Sequence, residues 1–162
     1  MLFLERINIC KVIVNHFKTL YDCHTMKVSF EEILLLILTH LCIPIYLILE
    51  LKMLVPTSHI DIAINVCAIL GGFLITALFV LMERGSRTDG EDQLLVEETF
   101  YNVSYGVLLC FLLLLLFCFH GMFSKTSMLC DKILSYVIIV CLISLSHTIL
   151  MILKRLSSIF KG

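Results

Sequence analysis

Apolar residues run almost unbroken through four stretches of the chain, at about 30–51, 60–82, 101–123 and 133–153. Each supplies the roughly 20 residues that a helix needs to cross a hydrocarbon core about 30 Å thick. The pattern ahead of them is different. Glu5, Asn8, Lys11, Asn15, Lys18 and Asp22 recur at helical intervals and leave Leu4, Ile7, Ile9, Val12, Ile13, Phe17, Leu20 and Tyr21 to the other faces. That spacing predicts an amphipathic helix, suited either to the headgroup plane of a bilayer or to a docked partner. The predicted fold class is therefore all-α: an integral-membrane four-helix bundle over residues 30–162, preceded by an amphipathic arm over residues 1–29.

Local punctuation sharpens two of these boundaries. Ser29-Phe30-Glu31-Glu32 has the form of a capping box, with both carboxylates at the positive end of the first span. Between the second and third stretches, Gly85, Ser86 and Gly90 mark a turn, and Asp89 is placed to cap a helix that continues through Glu91, Asp92, Glu97 and Glu98 into the third span. A helix from Glu91 to Phe123 would be about 50 Å long at about 1.5 Å per residue and would project beyond the bilayer.

Composition agrees with a membrane protein. Of 162 residues, 60% are hydrophobic and only 15% charged, against about 25% charged in ordinary globular domains. A net charge of −1 leaves no basic excess for wrapping phosphates, so nucleic-acid binding is not expected. The first apolar positions are interrupted by Glu5, Arg6, Asn8, Lys11 and Asn15, which argues against a cleavable signal peptide. Basic residues are distributed unevenly. Arg6, Lys11, Lys18, Lys27, Arg84, Arg87, Lys154, Arg155 and Lys161 fall on one side of the four spans, and Lys52, Lys125 and Lys132 on the other. Positive charge favours the cytoplasmic side, so both termini and the middle loop are expected there.

The chemistry-bearing residues are sparse. The eight cysteines form no C-x-x-C and no cluster with histidine, so they read as small hydrophobes. Cys118 and Cys130 flank one loop and would be placed to pair in an oxidising compartment. Polar residues at membrane depth are His40, Pro44, Asp61, Asn65, Asn102, Ser104, Ser144, Ser146, His147 and Thr148, with no charge at the centre of any span. That absence argues against a proton-coupled pump or a voltage sensor. His40 is expected near the midplane, and Pro44 has no N–H for its carbonyl, so the pair marks a kink. His147 is expected nearer the cytoplasmic face. With His120 they read as three isolated histidines rather than a metal site.

Ala68, Gly72 and Thr76 form a stripe of small residues suited to close helix packing, either within one subunit or between copies. Gly71-Gly72 is also a place for local flexibility. No metalloprotease, nucleophile-elbow or phosphate-loop motif occurs, so neither an enzyme nor a cofactor is expected. What remains is a candidate partner surface, with Arg6, Lys11 and Lys18 on the arm and Glu91, Asp92, Glu97 and Glu98 on the helix extension. The two sets are placed to bind each other at rest or to share a partner.

V-N-H-F-K-T-L-Y-D over 14–22, K-V-S-F-E-E over 27–32, E-E-T-F-Y-N-V-S-Y over 97–105 and I-L-K-R over 152–155 follow an architecture that resembles small four-span membrane proteins of bacterial antiphage loci. The chain is most similar to the KwaA family, the membrane subunits of the Kiwa system, with RexB-type phage-exclusion proteins second. The first resemblance implies a homo-oligomeric inner-membrane sensor that triggers a cytoplasmic partner, KwaB. The second implies an ion-conducting pore that depolarises the cell. Neither brings a motif that assigns catalytic or ligand-binding residues here.

Overall fold

The computed structural model describes residues 9–18, 38–50, 54–85, 91–123 and 127–159. Arg6, the capping box at 29–32, Asp89 and the first part of the first predicted span lie outside the described residues, as do the side chains of Glu91 and Asp92. The architecture is all-helical: α1 (Ile9–Lys18), α2 (Ile43–Leu49), α3 (Ile60–Gly85), α4 (Glu91–Phe123) and α5 (Met128–Ile159). A π-helical turn, Leu38–Cys42, leads into α2, and a short 3-10 turn, Thr57–His59, leads into α3.

Helices α3, α4 and α5 are each long and apolar enough to cross a membrane, and the chain is a membrane protein. They run up, down and up, with α4 in the middle: α3 packs on one side of it and α5 on the other. The π-turn and α2 pack on α5, and α1 packs on α4. This leaves a bundle with two distinct ends. The arm end carries α1, the last turns of α3 and α5 and the first turns of α4. The loop end carries residues 54–59 and the connection from α4 to α5.

Lipid offers apolar side chains a solvent as good as one another, so helix association rests on close packing and internal polar contacts. The central seam is fully buried: Leu113, Phe117 and Ile138 are closed off, with Cys67, Cys110 and Cys141 filling the gaps as small hydrophobes. Every described cysteine is a free thiol, and the pairing open to Cys118 and Cys130 is not made: both are exposed and unbridged. A second cluster, Leu81, Val96, Val103 and Ile152, closes the arm end. Gly106 is where all three long helices meet. A Cβ there would lie 3.1 Å from Leu74 Cδ1 on α3, tighter than most contacts, and 3.6 Å from Thr148 Cγ2 on α5, an ordinary contact, so a side chain at this position requires Leu74 to give way.

The predicted helix extension is present in full, with α4 starting at Glu91 and spanning 33 residues. It is not a solvated spike. Thr99, Asn102 and Val103 are completely buried, because α3 and the 32-residue α5 run past the expected span limits beside it. The expected kink before Pro44 takes a specific form. Pro44 is buried at the start of α2, immediately after the π-turn; its missing N–H removes the bond to the His40 carbonyl, and the widened turn absorbs the loss. No break occurs at Gly71-Gly72, where α3 is one continuous helix.

Candidate functional site

The arm docks through one buried edge. Val12 and His16, one helical turn apart, are each only 4% exposed, because residues four apart lie on one helix face. Nδ1–H of His16 donates to Oδ1 of Asn102 at 2.8 Å, and the imidazole stacks on Tyr105 with ring centroids 3.9 Å apart. The adjacent face of α1 presents Ile9, Ile13 and Phe17 to the outside, and the next face presents Lys11 and Lys18. One helix thus combines a protein-facing edge, an exposed apolar face suited to lipid and a basic face. Burial holds His16 below the ordinary imidazole value; the hydrogen bond it donates to Asn102 opposes the shift, and the positive charge of Arg155 adds to it.

Glu98 pairs with Arg155 at the end of α5, both half-buried, whereas Lys11 and Lys18 stay exposed on α1. Among the described residues, the arm meets α4 through His16, Asn102 and Tyr105. Glu97 remains outward, near the hydroxyl of Tyr101. Leu94, 59% exposed, stands a turn before Glu98. Leu81, Gly85, Gln93, Val96, Glu97 and Phe100 line a shallow cleft beside them.

The small-residue stripe turns outward. Ala68, Gly72 and Thr76 are all exposed, and a Cβ on Gly72 would meet nothing within 4 Å. Packing within the subunit instead uses the neighbouring Gly71, whose added Cβ would touch Cβ of Cys110 at 3.5 Å, and Gly106. Among the described residues no helix packs closely on the stripe, which turns to the outside. Thr76 donates to the carbonyl of Gly72, satisfying its hydroxyl locally. Thr148 and Ser146 do the same to Ser144 and Leu142. Asp61 and Asn65 are exposed near the loop end of α3.

The histidines are not isolated. His40 on the π-turn and His147 on α5 face each other with ring centroids 5.1 Å apart, so they lie level rather than at different depths; the π-turn and the extra length of α5 change the register assumed from span boundaries. Among the described residues no group of three or more His, Cys, Asp or Glu is arranged to hold a metal ion.

The third histidine was the least conspicuous in sequence and has the most polar surroundings. His120, completely buried, donates from Nε2 to the carbonyl of Val55 at 2.9 Å. Its Nδ1 faces Oδ1 of Asp131 at 3.5 Å. The amide of Val55 in turn donates to the buried hydroxyl of Ser135 at 3.2 Å. Residues from a loop and two helices are tied together at the loop end. Periodicity gives no hint of this cluster, because its members lie 65 and 80 positions apart for the two loop contacts; the only sequence signal is a histidine and an aspartate either side of one short connection.

Comparison with protein-family models, curated proteins and solved structures finds no match to this chain.

Proposed function

We propose that the chain is a non-enzymatic membrane sensor and scaffold of a bacterial antiphage system, which oligomerises in the inner membrane and recruits or triggers a cytoplasmic effector. The observation that carries this reading is the built surface at the arm end. There α4 runs on past the span, braced by α3, by Arg155 on α5 and by the docked arm. An acidic and apolar rim of Leu94 and Glu97 stands on α4, while the basic face of Lys11 and Lys18 stands on α1. At about 1.5 Å per residue, α4 exceeds a hydrocarbon core about 30 Å thick by about 20 Å. The excess of Lys and Arg on the arm side favours a cytoplasmic orientation for this end. The architecture's likeness to KwaA supplies the antiphage context, and the outward stripe of Ala68, Gly72 and Thr76 is the face on which copies meet.

The test is recruitment of the soluble protein encoded by the adjacent gene. Glu91→Lys, Asp92→Lys and Glu97→Lys together, with Glu98 retained because it braces Arg155, are expected to abolish co-purification while membrane insertion is unchanged. Encounter and register depend on the summed field of several charges, which is why one reversal is not enough. Unchanged co-purification removes this surface from the mechanism. Rapid loss of membrane potential on expressing the chain alone, read with a potential-sensitive dye, replaces the scaffold with a pore.

A further inference from the structure

We infer that His120 and Asp131 form a proton-binding site that clasps the 54–56 loop to the ends of α4 and α5. The carbonyl oxygen of Val55 only accepts, so Nε2 of His120 carries a hydrogen to reach it at 2.9 Å. A neutral imidazole has one N–H, which leaves a lone pair on Nδ1. That lone pair would point at Oδ1 of Asp131 3.5 Å away, and neither atom has a hydrogen bond to any other described group. Two acceptors facing one another in a buried site are mutually repulsive and unsatisfied. One added proton resolves both, whether it resides on Nδ1 as an imidazolium facing a carboxylate or on the carboxyl group as a donor to Nδ1.

The surroundings hold the site closed around this proton. From the loop come the carbonyl and amide of Val55, the latter on Ser135 of α5. From α3 comes Ile60, whose Cδ1 lies 3.8 Å from where a side chain on Gly121 would begin. Other titratable side chains at this end are His59 and Asp61 around Ile60, and Cys130 and Lys132 beside Asp131; His59, Asp61 and Cys130 are exposed, and Lys132 is half-buried. Lys52 and Lys125 lie outside the described residues.

Loss of the proton turns the attractive contact between His120 and Asp131 into a repulsive one and weakens the clasp on Val55. The loop end therefore loosens as pH rises. This inference is independent of the antiphage reading, since it concerns only the loop end.

The experiment uses the full chain, labelled with ¹⁵N-histidine, in lipid nanodiscs. Near neutral pH, His120 is expected either to have both ring nitrogens protonated or to have a hydrogen-bonded Nδ1 with the carboxylic C=O stretch of Asp131 visible in the infrared. Raising the pH is expected to abolish that signature and to speed amide exchange of Val55 beyond the intrinsic base-catalysed increase. Asp131→Asn is the decisive variant, because its amide N–H donates to Nδ1 with no added proton. It should keep Val55 protected and lose the pH dependence. A neutral His120 beside an ionised Asp131 throughout the pH range overturns the inference, as does an undiminished pH dependence in Asp131→Asn. Lys125→Gln should leave the signature in place; its disappearance there assigns the proton to another group.

Discussion

His16 and His120 sit at opposite ends of the bundle, both buried, and each fastens to α4 a segment that is not one of the long helices. Their neighbours make them unlike. His16 donates one N–H to the neutral amide of Asn102 and stacks on Tyr105; burial, with the positive charge of Arg155 beside it, disfavours an added proton there. His120 donates one N–H to Val55 and turns its other nitrogen to the carboxyl group of Asp131, so a neutral imidazole beside an ionised carboxylate is the combination that does not fit. The same side chain, similarly buried, is set by one acceptor to release its segment on gaining a proton and by another to release it on losing one. What a buried histidine does is thus decided by the second partner rather than by burial alone.

The largest way to break the comparison is at the loop end. His120→Ala removes the donor to Val55 and the partner of Asp131 and leaves a void among fully buried side chains; a loss of about 3 kcal/mol is expected, read as a fall in the thermal midpoint of the whole chain in detergent. His16→Ala should cost about 1–2 kcal/mol, from one hydrogen bond and one aromatic contact. Its effect should be local: α1 gains rapid amide exchange while α3 to α5 keep their midpoint.

The third test is the pH dependence of the arm. The docked His16 lies below the ordinary value of 6.5, chiefly through burial, so between that lowered value and about 6.5 the released arm binds more protons than the docked one. Docking is therefore fully present above about 6.5 and lost as pH falls through the lowered value; His16→Ala should remove the dependence. Smallest are the carboxylates at the arm end. Glu98→Gln weakens the half-buried pair with Arg155 and should cost about 1 kcal/mol, whereas exposed Glu97→Gln should change stability by less than about 0.5 kcal/mol. Denaturant titration of the two variants measures the gap.

The sequence pattern revealed the elements well and their pairings poorly. The start of α4 at Glu91, its 33-residue length and the disturbance before Pro44 follow from local chemistry, since caps, helical period and a missing N–H act within a few residues. The small-residue stripe was legible as a stripe but not as an outward one, because Gly71 and Gly72 differ by 100° around the helix axis in ideal geometry, about 360° divided by 3.6, and only the partner helix decides which faces inward. Gly106 gave no signal, as its neighbours Leu74 and Thr148 are brought to it by packing alone. Glu98 read as part of an acidic surface because nothing local points to Arg155, 57 positions away. The arm's amphipathicity was plain, yet a single wheel does not separate the edge that meets protein from the face left for lipid.

Hydrogen exchange of the full chain in nanodiscs, corrected for intrinsic rates and followed from about pH 7.5 to about pH 5.5, the range in which histidines titrate, reads both ends at once. Residues 9–18 are expected to lose protection on acidification while residues 54–59 keep theirs. Protection lost first at 54–59, or an arm that stays protected throughout, would contradict this expectation.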